Sequence, residues 1–94
     1  MKHYIVVKWN NLVENKKEMF EKAKEAFSEA TKIEGVYSCE FFSSCSSREN
    51  RYDLMILLEM SEDGLLNYDV SEMHVSWKNN YGQYIEKKAI FDCE

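Results

Sequence analysis

Three residues of this 94-residue chain have types and spacing that could do chemistry: His3, Tyr68 and His74. Tyr68 and His74 open the stretch YDVSEMHVSWKNNYGQY, which carries one of the two histidines, one of the two tryptophans and three of the six tyrosines. A neutral imidazole accepts a proton near pH 7. A phenol beside it holds or protonates a developing enolate or alkoxide oxygen. Such a pair suffices for proton transfer α to a carbonyl, with no metal and no cofactor. His74 is then the general base and Tyr68 the oxygen donor. His3 orients a substrate oxygen or reaches His74 through a water. Ile5, Val7, Phe27, Leu66 and Trp77 are the expected apolar walls. The competing reading is a buried His74 that makes one structural hydrogen bond. Geometry separates the two: the chemistry needs an open pocket faced by Tyr68 and His74, and it needs the face of the first strand that bears His3 to point at the helices.

Other reactive types are less well placed. His3 and His74, with Asp69 or Glu72 near the second, lack metal-ligand spacing. Trp77, Tyr81 and Tyr84 read as core rather than a haem or flavin box. Glu62 and Asp63 mark a helix start, and Asp92 reads as a polar residue at a strand end that binds across a dimer. Cys39, Cys45 and Cys93 have no C-x-x-C spacing, and an odd count fits free thiols in a reducing compartment. Cys45, in a polar loop, is the one with scope for reactivity.

The elements that must position these residues follow from periodicity. Residues 3–9 (HYIVVKW) are β-branched and aromatic, with His3, Ile5, Val7 and Trp9 on one face. Asn15 is a helix N-cap with Glu18 as capping-box partner. Met19, Phe20, Ala23, Ala26, Phe27, Ala30 and Ile33 then form the stripe of one long amphipathic helix, which Gly35 stops. Residues 36–42 and 52–60 are strands around a polar loop, 43–50. Ser61 caps a short helix running to about Tyr68, and Ser71 caps the next. Along that second helix Val70, His74, Trp77, Tyr81 and Tyr84 share a face. Residues 89–93 (AIFDC) are a short last strand.

The totals bound the function. The chain has 12 Lys plus Arg against 17 Asp plus Glu, a net charge of −5, and its lysines alternate with glutamates. Such a surface repels a phosphate backbone, so nucleic acid is not an expected partner. The longest apolar runs are far short of a membrane span, and the expectation is a soluble, cytoplasmic protein.

The order β-α-β-β-α-β, with the second helical segment broken in two, is the split βαβ or ferredoxin-like arrangement, an α+β fold in one domain spanning residues 1–94. Helices cover one face of its antiparallel sheet. The other face is apolar in the middle and has no element of the chain to cover it, which predicts a twofold homodimer packed sheet on sheet.

The chain resembles the stress-responsive dimeric α+β barrel, or Dabb, family. The resemblance spans almost the whole chain and rests on KHYIVVKW at the start, the Y-x5-H of Tyr68 and His74, and IFD at Ile90–Asp92. The family's proline before the second His is replaced by Glu72 and Met73. Many members have no known reaction. A few are polyketide cyclases of the olivetolic acid cyclase type, whose ring-closing tyrosine and histidine match Tyr68 and His74 and whose pocket histidine matches His3. Two classes of function therefore stand. One is a dimeric domain of no assigned reaction that binds a small apolar ligand, the other a small cofactor-free enzyme acting on a carbonyl or aromatic compound. A pocket filled by side chains favours the first, and an open one faced by Tyr68 and His74 favours the second.

Overall fold

In a computed structural model that describes all residues, Met1–Glu94, alternation along the first strand sets the frame. Strand β1 (Lys2–Trp9) buries every second side chain. His3, Ile5, Val7 and Trp9 point at the helices, as the site requires, while Tyr4 and Val6 point at the other face. Strands β2 (Val36–Ser43), β3 (Leu54–Met60) and β4 (Ile85–Cys93) complete a four-stranded sheet in the order β2-β3-β1-β4, antiparallel throughout. The chain's first and last strands are therefore neighbours, and β4 is an open edge. It begins four residues earlier than its apolar pattern suggests, because backbone pairing with β1 carries it through Glu86, Lys87 and Lys88.

Helix α1 (Lys16–Ala26) starts on Asn15, whose side chain accepts the Glu18 N–H at 3.0 Å. The reciprocal half of the capping box is absent; the Glu18 carboxylate meets Lys22 at 3.4 Å instead. The expected long helix ends at Ala26. The Phe27 N–H is shared between the carbonyls of Ala23 and Lys24, and Ser28 bonds back three residues, so the turn tightens. Ser28 and Thr31 are poor helix continuations. A 3-10 turn at Ala30–Lys32 still delivers Ala30 to the core, so the apolar stripe survives a change of helix type.

The second helical segment breaks at Ser71 into α2 (Glu62–Val70) and α3 (Glu72–Tyr81), followed by a 3-10 turn at Gly82–Tyr84. The helices, with the helix-facing side of the sheet, enclose a core centred on Ile5, Ile56, Phe27, Leu58, Tyr68 and Trp77. Asp53 ties strand to helix: its carboxylate accepts the Trp9 N–H at 2.9 Å and meets the Lys16 ammonium at 2.9 Å.

Gly35 does more than end a helix. Its φ is 90°, where a Cβ is strained, and its carbonyl accepts the Ser61 N–H at 2.9 Å. Gly64, in the first turns of α2, lies directly against it: a Cβ on Gly64 would sit 2.3 Å from the Gly35 oxygen. This contact fixes both the depth of α2 and its rotation. Gly64→Ala must push the helix outward and is expected to cost about 1–3 kcal/mol, read as a lower urea midpoint. Gly82→Ala, where a Cβ meets nothing within 4 Å, is the control and leaves the midpoint nearly unchanged. Equal effects from the two substitutions would refute the packing role of Gly64.

Candidate functional site

Ser71 decides where the two candidate side chains stand. Its backbone is extended (φ −66°, ψ 149°), and it serves both as the C-cap of α2 and the N-cap of α3. Its hydroxyl donates to the Tyr68 carbonyl at 2.7 Å and accepts the His74 N–H at 3.1 Å. One side chain thus bonds to the backbone of both residues. The outcome is a ring contact: the centroids of Tyr68 and His74 are 4.4 Å apart, tilted by 35°. His3 approaches Tyr68 from the sheet, edge-on, at 5.7 Å. Tyr68 therefore sits between two imidazoles, with Phe27 at 6.4 Å on a further side.

Each histidine has one ring nitrogen engaged. Nδ1 of His74 lies 3.0 Å from the Asp69 carbonyl. A carbonyl only accepts, so Nδ1 carries the hydrogen and Nε2 keeps its lone pair. Nδ1 of His3 lies 2.5 Å from Oδ1 of Asp92, the residue opposite it on β4. A carboxylate likewise accepts, which again leaves Nε2 as the free nitrogen. Asp92 thus pairs within its own chain, with a histidine of the site, where its position in the sequence suggested a contact across a dimer. His3 is 6 % exposed, the only polar residue in the buried set other than Tyr68.

Tyr68 is 2 % exposed. Burial pushes its phenol well above the ordinary range, with the charge of Asp69 and then Cys39 adding to the effect. The hydroxyl therefore stays protonated, a donor. It makes no hydrogen bond within the chain, yet no fully buried polar side-chain atom lacks a partner, so it keeps an accessible edge. Cys39 behaves similarly: burial, then the neighbouring Glu40, raises its thiol to about 11. It is poorly suited to be a nucleophile. Cys45 is exposed.

A cavity of about 310 Å³ opens at these residues. Its floor is His3 and Ile5 of β1 with Lys88, Ile90 and Asp92 of β4, and its roof is Leu65, Tyr68 and Asp69 of α2 with His74 and Trp77 of α3. The structure thus brings His3, Tyr68 and His74 around one cavity, His3 from the floor and the other two from the roof. Of the expected apolar walls, Ile5 and Trp77 are present. Val7 and Phe27 are sealed in the core, and Leu66 is 66 % exposed, turned away by the seating of Gly64 on Gly35. Leu65 takes its place. Val70, placed on the stripe of His74, is 79 % exposed, because the break at Ser71 shifts the phase between the two helices. Lys88, Asp92 and the Asp69 carbonyl are the contributors that residue types alone did not reveal. Asp92 was within reach: alternation puts it on the helix-facing side of a last strand paired with the first. No group of three or more His, Cys, Asp and Glu is arranged to hold a metal ion.

No protein-family profile and no curated protein sequence matches the chain. Solved structures do. A dimeric protein of unknown function and ferredoxin-like fold from Bacteroides fragilis superposes with a TM-score of 0.82 at 22 % identity, over 99 % of this chain and 93 % of the other. A Dabb family protein with a ferredoxin-like fold from Mesorhizobium loti gives 0.74 at 17 %, over 99 % and 93 %. The hydroxynitrile lyase of Passiflora edulis gives 0.74 at 10 %, over 96 % and 87 %. The chain therefore has the ferredoxin-like fold, in the form taken by a Dabb family protein.

Proposed function

We propose that the chain acts as a homodimer that binds a small carbonyl or aromatic compound in the cavity under α2 and α3 and moves a proton on it without a cofactor. The observation that carries this reading is the shared open cavity of Tyr68 and His74, with the two rings in contact and His74 Nε2 left as an acceptor. His74 removes a proton from the carbon next to the carbonyl. The electron pair moves onto the carbonyl oxygen, where the Tyr68 hydroxyl, held in its neutral form, donates to the enolate. The electron pair then returns from oxygen to carbon, and the imidazolium gives the proton back to that carbon. His3, held by Asp92, presents its free nitrogen to a polar group of the ligand. The hydroxynitrile lyase among the similar structures lends support that this fold accommodates chemistry on a small molecule. A domain that binds an apolar ligand and runs no reaction is the second reading, favoured by the near-complete burial of Tyr68.

The homodimer reading rests on the uncovered sheet face. Tyr4, Val6 and Met55, half-buried, form its centre around the buried Leu57, and Phe42 and Phe91, 42 % and 63 % exposed, flank it on the outer strands. A chain this small buries only about 60–65 % of its unfolded surface by itself, and an apolar face of this kind marks an interface. The dimeric state of the Bacteroides fragilis protein points the same way.

Three measurements check these readings. Deuterium wash-in beside the carbonyl, followed by NMR over a panel of small aryl ketones, reads proton transfer without knowledge of the product. His74→Gln and Tyr68→Phe are each expected to slow it about 10²–10⁴-fold. No enzyme-dependent exchange, or unchanged exchange in both variants, would leave only the binding reading. Tyrosinate absorbance on alkaline titration should show one of the six tyrosines ionising late, and Tyr68→Phe should remove that step. Because the folded phenol binds its proton more tightly than the unfolded one, its contribution is intact below about pH 10 and lost as the pH rises beyond it. Stability should accordingly fall more steeply above pH 10 in the wild type than in Tyr68→Phe. Light scattering should give the mass of two chains, and Val6→Glu with Phe91→Glu should halve it while the circular dichroism is kept. A monomeric wild type would end the dimer reading.

A further inference from the structure

The proposed ligand has so far only an oxygen-bearing end, set against Tyr68 and the histidines. The opposite end of the same cavity holds Lys88. We infer that Lys88 anchors an acidic group, so that the ligand is an anion: a carboxylate or similar acid joined by an apolar, ring-sized body to the carbonyl or hydroxyl end. This rests on the cavity being the ligand site, as proposed above.

Lys88, Ile90 and Asp92 are alternate residues of β4 and share its helix-facing side, so all three border the cavity. Four strand steps separate Lys88 from Asp92, about 13 Å. The Asp92 end is polar through its bond with His3. The span between is apolar, with Ile5, Ile90, Leu65 and Trp77. Lys88 makes no ion pair; none of the four ion pairs of the chain includes it, and the one at this cavity joins His3 to Asp92. That is notable in a chain with 17 acidic residues against 12 basic ones, where carboxylate partners are abundant. Asp92 faces the same cavity but is engaged by His3, and Asp69 faces it without pairing with Lys88. The neighbouring Lys87 alternates to the opposite face and lies over the Tyr52 ring at 5.8 Å. Lys88 is therefore the one ammonium at this cavity. The volume, about 310 Å³, is roughly twice the ~150 Å³ that takes one benzene. One ring and a short acidic chain fit that space. An ammonium at an open rim is screened by water, so its effect on affinity is modest, about three- to tenfold at low salt.

The test uses three probes of one shape on the full chain: 3-phenylpropionate, its neutral amide, and 3-phenylpropylamine, which is a cation at pH 7. Binding is followed by amide chemical shifts of the cavity residues, a readout independent of turnover. The expected order is acid over amide by at least about threefold, with the amine weakest. Lys88→Met should bring the acid down to the amide, and Lys88→Glu should make the amine the best of the three. Acid and amide binding the wild type equally, or an acid preference that survives both substitutions, would overturn the role of Lys88 while leaving the cavity as a ligand site. Shifts confined to other surfaces for all three probes would overturn this inference too. Loss of proton transfer in His74→Gln with the acid preference intact supports Lys88 and shows that the two ends act separately. Since Lys88 is exposed on an edge strand, its variants leave the core untouched.

Discussion

The break at Ser71 is the constraint on which the site depends. A continuous helix from residue 62 to residue 81 would carry Tyr68 and His74 six residues apart, about 120° around one cylinder and about 9 Å along it. The extended backbone at Ser71 interrupts that regularity. One hydroxyl then satisfies the carbonyl that α2 leaves open and an amide that α3 leaves open. Two helix ends meet there with their polar groups paired, and the ring contact at 4.4 Å follows. The Asp69 carbonyl, also near the end of α2, fixes the tautomer of His74. Capping, which in most helices only stabilises an end, here sets the relation between a donor and a base.

Below that corner the sheet does comparable work. β1 lies between β3 and β4, so its buried face carries both core and site: Ile5, Val7 and Trp9 pack inward, while His3 stands at the end of the same row. No helix roofs the outer flank of β4, and Lys88, Ile90 and Asp92 remain exposed there. The cavity exists because α2 and α3 stop short of the sheet edge. Its polar content comes from that geometry as well, since an edge strand can keep charged side chains on a face that would otherwise be dry.

The strands, the two serine caps and the direction of His3 were legible because each depends on local pattern: alternation, a cap followed by a helical run, and the rule that one strand face is covered. The pairing of Tyr68 with His74 came from the Y-x5-H resemblance rather than from periodicity, which puts them on two helices; their ring contact depends on the corner at Ser71. What escaped local reading depended on phase. Leu66 and Leu65 are adjacent, and their roles turn on the rotation of α2, which the contact between Gly64 and Gly35 sets from 29 residues away. Val70 and His74 obey helical spacing on paper, but they lie on different helices. The partner of His3 was only half legible: alternation puts Asp92 on the helix-facing side of the last strand, but the register of that strand against the first, 89 residues away, sets the two side by side. Phe27 and Ala30 were correctly placed inside although the helix ended before them, because a 3-10 turn conserves which side of the chain faces inward over a few residues.

The two faces of the sheet are tied together at one rung. His3 pairs with Asp92, and the next rung of the same strands pairs Tyr4 with Phe91, whose rings lie 6.5 Å apart on the uncovered face. In the monomer Phe91 stays largely in water, and the end of β4 has only its bonds to β1 to hold it. In the proposed dimer the rings of Tyr4 and Phe91 are covered, and the backbone that carries them is the backbone that carries His3 and Asp92. Burial of one face would then steady the bond on the other. Strand alternation makes this coupling unavoidable: successive residues serve opposite faces, so a side chain cannot be fixed in an interface without fixing its neighbour in the site.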